Sequence, residues 1–179
     1  MAAAPARPAL RPEDLEGLPV TWRQIIPESY LDLMGHMNVM WYTHLFSQAT
    51  LEFFSSFGMG LDYWKSQHAG TFALEAHIRY LVEIGVGAEV RVVTRAVARS
   101  ARRIHYMHLL VNEDDNVLST IGEFVSAHID MAIRRTSPFP EALADRIDVM
   151  CAAHARLPWR PPLCGTMRVH RRSGRSGSA

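Results

Sequence analysis

The sequence predicts an α+β fold in which an antiparallel sheet of about five strands curls around one long central helix. Three observations in its 179 residues carry that expectation. A wide apolar helix comes early, four strand-like runs follow it consecutively, and no helical segment separates those runs. Parallel neighbours would need a crossover of a dozen or more residues each time, so the later strands pair antiparallel and a doubly wound parallel sheet is excluded. The expected order is β-α-β-β-β-β, with a candidate C-terminal helix after it.

The first strand is Val20-Thr-Trp-Arg-Gln-Ile-Ile26, rich in β-branched and aromatic residues and stopped by Pro27. A polar loop leads to Asn38, a residue suited to capping a helix. From there Trp41, Leu45, Ala49, Phe53 and Phe57 recur at four-residue steps beside Phe46, Thr50 and Phe54. The stripe covers more than half the circumference, which predicts a helix wrapped by other elements. Gly58 and Gly60 end it, and residues 61 to 67 allow a further helical turn.

The period then changes to two. Phe72, Leu74, Ala76, Ile78 and Tyr80 fall on one face of a strand, and Glu75, His77 and Arg79 on the other. Residues 89 to 99, 104 to 112 and 118 to 131 continue as strands, the last two joined at Glu113-Asp-Asp-Asn116. Pro140 and Glu141 suit the start of a helix over residues 138 to 154. A single curled layer leaves edges and faces uncovered, so a homodimer or homotetramer is expected.

Composition bounds the rest. Hydrophobic residues make up 48% and charged residues 21%, ordinary for a globular protein, and every apolar run is interrupted well before the length of a membrane span. The first ten residues lack the basic start and continuous apolar core of a secretory signal, and two cysteines without CxxC spacing encode no disulfide framework, so a cytoplasmic location is expected. Six arginines and no acid lie in residues 156 to 179; residues 19 to 155 hold 11 basic against 15 acidic residues, which argues against nucleic-acid binding by the core. Residues 1–18 and 156–179 are therefore expected to be flexible extensions of a 19–155 domain.

Motifs for phosphate cradling, dinucleotide binding, a nucleophile elbow and a zinc helix are missing. His105 and His108, three apart in a strand, point to opposite faces, so no metal is expected from them. What remains is Asp32, Gly35, His36 and Asn38 immediately before the long helix. A helix N-terminus offers unpaired N–H groups that can polarise a carbonyl, and a nearby carboxylate can attack it or activate water. The same residue types also serve any turn and cap.

Asp32-Leu-Met-Gly-His-Met-Asn38 followed by Trp41-Tyr42 resembles the Asp-x-x-Gly-His-x-Asn-x-x-x-Tyr signature of hotdog-fold acyl-CoA thioesterases of the 4-hydroxybenzoyl-CoA thioesterase type. Residues Glu75 to Glu83, Gly87 and Arg102 to His108 are similar to betainyl-CoA thioesterases and to the thioesterase part of some carnitine dehydrogenases. The resemblance implies that Asp32 is the catalytic carboxylate, that Gly35 and its neighbours present N–H groups to the thioester carbonyl, and that His36 and Asn38 shape the site. It also implies an active site at a subunit interface, where Glu75 and His77 of one protomer can reach the other, with coenzyme A as part of the substrate and no separate cofactor. Some relatives carry the acid on the helix, which makes Glu52 a rival.

Arg99, Arg102 and Arg103 sit at a strand-to-strand turn where they can meet the phosphates of coenzyme A or remain solvated. For a trimethylammonium acyl group, Trp41, Tyr42, Tyr63, Trp64, Tyr80 and Tyr106 offer aromatic faces, a role that competes with core packing. The expected activity is hydrolysis of a small acyl-CoA. The alternatives are a non-catalytic acyl-CoA-binding module and an acyl-CoA hydratase or dehydratase with Asp32 and His36 as an acid–base pair.

Overall fold

The computed structural model describes residues 10–169. Its elements are β1 (Val20–Ile25), α1 (Val39–Ser56), α2 (Leu61–Gln67), β2 (Ala69–Tyr80), β3 (Glu89–Arg99), β4 (Arg103–Asn112), β5 (Val117–Asp130), the two-residue β6 (Arg135–Thr136) and α3 (Glu141–Ala155). The sheet runs β1-β3-β4-β5-β2, antiparallel throughout, with β6 beside β5. The expected order of elements is therefore present, and β2, the first strand after the helices, closes the far edge.

Helix α1 starts where Asn38 accepts the Met40 N–H on its side-chain oxygen at 3.0 Å, and stops before Gly58, whose φ of 101° needs no Cβ. Its inner face buries Tyr42, Leu45, Phe46, Ala49, Phe53 and Phe54 on the concave side of the sheet. Phe53 packs at a tilt, 5.3 Å from Tyr106, and Phe46 meets Phe124 at 5.7 Å. Gly122 makes that approach possible, because a Cβ there would lie 2.9 Å from the Phe46 ring. Truncating either phenylalanine to alanine would cost about 3–5 kcal/mol.

The sheet does not wrap α1 completely. Every residue of the stripe named above, from Trp41 to Phe57, is buried or half-buried, whereas Val39, Met40 and Leu51, outside that stripe, remain about 60% exposed on the outer side of the helix. A departure from the expected pattern lies in β2, where the register shifts between Ala73 and Glu75. The bulge leaves Leu74 unpaired. Cross-strand partners share a face, so Phe72, opposite Ala127, falls on the outer side, while Ala76, Ile78 and Tyr80 keep the inner side.

The outer face of the sheet is covered by the chain ends. Leu15 and Leu18 are buried against Val93, Met107, Leu109 and Ile121, with Leu157 and Trp159 packed beside them. Trp159 lies over the Arg95 guanidinium at 4.0 Å, accepts from Arg95 Nη1 on its carbonyl at 2.9 Å, and donates its indole N–H to the Asp14 carbonyl at 2.7 Å. Residues 10–18 and 156–169, expected from the sequence as flexible extensions of a 19–155 domain, pack here through their few apolar side chains on a sheet face that would otherwise meet water. Residues 1–9 and 170–179, which include Arg171, Arg172 and Arg175, lie outside the described residues. Among the described residues no helix is long and apolar enough to cross a membrane.

Candidate active site at the start of the long helix

Between β1 and α1 the chain makes a tight excursion that begins and ends on the body of the fold. Leu31 and Met37 face each other as an antiparallel bridge, and Asp32 N–H donates to the His36 carbonyl at 2.9 Å. The Gly35 N–H closes the turn onto the Asp32 carbonyl at 3.1 Å, with Gly35 at a φ of 81° that L side chains rarely adopt. Two further bonds anchor its base: Met37 N–H to the Ile84 carbonyl at 2.8 Å and Asn38 N–H to the Tyr30 carbonyl at 2.9 Å. Glycine at 35 and asparagine at 38 are thus accounted for by local geometry.

The turn holds Asp32 in solvent at the mouth of α1. Its Oδ1 accepts the Met34 N–H at 2.8 Å, and its other carboxylate oxygen has no protein partner among the described residues. The N–H groups of His36 and Val39 also lack a protein acceptor among the described residues, whereas those of Gly35 and Met40 are taken by the turn and by the Asn38 cap. A carboxylate oxygen and unpaired donors therefore coexist at the positive end of an 18-residue helix. Such an arrangement can bind a carbonyl, stabilise the oxyanion formed from it, and deliver or activate the attacking oxygen.

His36 does not pair with Asp32. Its Nε2 lies 3.2 Å from Glu83 Oε1, and only main-chain atoms link it to the aspartate. An Asp32–His36 acid–base pair is absent from the described geometry. Glu83, on the loop after β2, is a residue the sequence did not place at the site; it lies 47 positions further along the chain, and no local pattern signals it.

Aromatic rings line the base of the turn. Trp41 stacks on Tyr30 at 3.7 Å and an interplanar angle of 6°, and His44 meets the edge of both. Tyr42 is buried and sits 5.0 Å from Tyr80, ring edge to face. Burial pushes its phenol above the ordinary tyrosine range, against hydrogen bonds to Ser119 and Ile84 that pull it down. Tyr106 is enclosed in the core and Tyr63 bonds to His128 at 2.8 Å, which leaves Trp41, Trp64 and Tyr80 as the accessible rings of the six considered.

Within one protomer the structure gathers Asp32, Gly35, His36, Asn38, Trp41 and Tyr42. The remaining candidates lie elsewhere. Glu75 and His77 pair with Val125 and Glu123 on the outer face of the sheet, away from α1. Arg99, Arg102 and Arg103 sit at the far end of β3 from Ala88, which bonds to Ile26 beside the Asp32 loop; eleven strand residues separate those ends by about 30 Å. Arg99 is held by Asp148 of α3 at 2.7 Å, and Arg102 donates to the Thr136 carbonyl at 2.8 Å. Glu52 is exposed on α1.

Comparison with known sequences fixes the lineage. The family profile described as the thioesterase-like superfamily matches residues 26–147, most of the chain and all of the site just described. The chain belongs to that superfamily. Among relatives of this thioesterase-like chain, an Agrobacterium fabrum L-carnitine dehydrogenase/betainyl-CoA thioesterase is 32% identical over 66% of this chain but only 24% of its own length, so the chain spans about a quarter of that protein. A betainyl-CoA thioesterase of Pseudomonas aeruginosa is 27% identical over 75% of this chain and 84% of its own. A Staphylococcus aureus protein solved in complex with CoA shares the fold, with a TM-score of 0.73 over 80% of this chain and 90% of that one at 24% identity.

Proposed function

We propose that the chain is an acyl-CoA thioesterase that hydrolyses a small acyl-CoA thioester to the free acid and coenzyme A, with Asp32 as nucleophile or general base. The observation that carries this reading is the open Asp32 carboxylate oxygen beside the unpaired His36 and Val39 N–H groups at the start of α1. The thioester carbonyl docks on those N–H groups, which stabilise charge as it develops on the oxygen. Asp32 then either attacks the carbon, expelling the coenzyme A thiolate and leaving a mixed anhydride that water hydrolyses to the free acid and the restored carboxylate, or takes a proton from a water whose oxygen adds to the carbon as the thiolate leaves. The relatives named betainyl-CoA thioesterase support a short polar acyl group. Trp41 and Tyr80 are the rings on hand for a cationic one.

The working unit is a homodimer or homotetramer. β2 is an edge strand with residues 71–77 exposed on both faces, including Phe72 and Leu74. Antiparallel pairing of two such edges sets the Tyr80 end of one β2, next to the Asp32 loop, against the Ala69 end of the other. The partner's Arg turn follows that Ala69 end, because Arg103 pairs with Ala127 near the Ala69–Asp130 contact. Arg102 and Arg103 of a second copy then come within reach of the substrate's phosphates, which one protomer alone cannot arrange.

Free-thiol release from betainyl-CoA, 4-hydroxybenzoyl-CoA, acetyl-CoA and a medium-chain ester tests the activity and ranks the acyl group. Mixing Asp32→Asn chains with Arg102→Ala/Arg103→Ala chains tests the shared site. Activity recovered in the mixture supports it, and a mixture no better than its components rejects it.

A further inference from the structure

We infer that His77, Glu123 and Cys164 form a binding site for a zinc-like divalent cation on the outer face of the sheet, which latches the C-terminal segment to β2 and β5. One donor atom from each of the three side chains lies within 4.8 Å of the others. His77 and Glu123 are direct cross-strand partners in the β2–β5 register, so their side chains leave the same face side by side. Cys164 arrives from residues 157–167, which cross that face from Trp159 over β3 to Pro162, whose carbonyl accepts from Arg79 of β2.

The carboxylate is the informative member. Glu123 is 1% exposed and has neither Lys nor Arg within salt-bridge distance among the described residues. One of its oxygens accepts from His105 Nε2 at 2.8 Å and the other from the Cys164 N–H at 2.6 Å. Each oxygen keeps a lone pair, so the group is oriented by two donors and still able to ligate, the way supporting hydrogen bonds hold metal-binding carboxylates. Its neighbours are one imidazole and one backbone N–H, so a bound cation would add a full charge opposite a carboxylate that is taken out of water.

Imidazole, carboxylate and thiolate together suit zinc-like ions, whereas calcium and magnesium favour oxygen donors alone. Tetrahedral bonds of about 2.0–2.3 Å bring donor atoms to about 3.5 Å from one another, so the cluster closes by about 1 Å. His77 is exposed and can turn, and the half-buried Cys164 exchanges its 3.2 Å contact with Thr166 Oγ1 for the metal bond. Binding releases the Cys164 thiol proton to solvent, and water completes the fourth position. The cluster projects from the sheet face, while edge pairing of β2 uses main-chain groups in the sheet plane; the two do not compete. Nor does the latch depend on the thioesterase reading.

The test uses the full chain, stripped with a chelator and titrated with Co(II) and then Zn(II). Expected is saturable binding of one ion per chain with a thiolate-to-cobalt charge-transfer band. The band disappears in Cys164→Ser and persists in Cys151→Ser, and Zn(II) affinity falls by about tenfold or more in His77→Ala. Zn(II) also raises the melting temperature of the wild type and leaves that of Cys164→Ser unmoved. Absence of saturable binding, or a band unchanged in Cys164→Ser, overturns the site. Thiol release from acyl-CoA by Cys164→Ser stays at the wild-type level, which separates failure of the latch from failure of the catalytic reading.

Discussion

Two histidine-bearing regions of this chain handle polar groups in opposite ways. On the concave side of the sheet, His108 is fully buried, with Thr94 at 2.8 Å from Nδ1 and Thr50 at 2.8 Å from Nε2. The Thr50 hydroxyl donates to the Phe46 carbonyl, so it must accept from Nε2–H, which fixes the tautomer and makes Thr94 the donor to Nδ1. Thr21 continues the chain at 2.7 Å from Thr94, and Phe46 stacks on the ring at 5.5 Å. At the start of α1, by contrast, His36, Asp32 and two N–H groups face solvent with bonding capacity left over. The closed network specifies the fold; the open one is equipped to bind something else.

That contrast orders the expected effects of mutation. The largest belongs to the open region: Asp32→Asn should lower turnover by roughly 10²- to 10⁴-fold while the urea midpoint stays within experimental error, measured by thiol release and denaturation in parallel. Next comes the closed network. Thr94→Val strands the His108 Nδ1 acceptor and should cost about 1–3 kcal/mol in urea unfolding, with little change in kcat for whatever folded protein remains.

The pH response sharpens the same comparison. Burial lowers the His108 pKa from 6.5 to about 3, and burial lowers those of His128 and His154 as well. Below pH 6.5 the unfolded chain takes up protons that the folded chain refuses. Stability is therefore complete above pH 6.5 and declines as pH falls towards 3, with His108 contributing a slope of about 1.4 kcal/mol per pH unit. Urea midpoints across that range check it; a flat profile would contradict a neutral, enclosed His108.

Smaller effects are expected at the helix start. Asn38→Ala removes the acceptor for Met40 N–H and should cost about 1 kcal/mol of stability, and it should weaken activity by loosening the Asp32 turn. Glu83→Gln breaks an exposed pair with His36 and should change stability by less than about 0.5 kcal/mol, so any effect on KM would report on the site alone.

What was legible in the sequence followed short-range rules. Asn38 as a cap, the four-residue stripe of α1, the period of two in β2 and the acidic turn at 113–116 each depend on neighbours a few positions away; each appears in the structure, the period of two only from Glu75 to Tyr80. The bulge at Leu74 escaped because one extra residue in a strand has no compositional mark, and it reversed the side on which Phe72 falls. Arginine and proline in residues 156–169 read as solvated, yet Trp159 and Met167 are sparse anchors sufficient to hold that stretch on the sheet. At the site, the cluster from Asp32 to Tyr42 was legible because it is contiguous. Glu83 beside His36, and the distance between Asp32 and the arginine turn, depend on chain tracing that no local pattern encodes.

The most direct measurement is single-turnover hydrolysis of betainyl-CoA by the wild type and by Asp32→Asn at matched enzyme concentration. Release of stoichiometric thiol by the wild type, with a rate reduced by roughly a hundredfold or more in the variant, is the predicted result. Equal rates in the two proteins would contradict the assignment of Asp32.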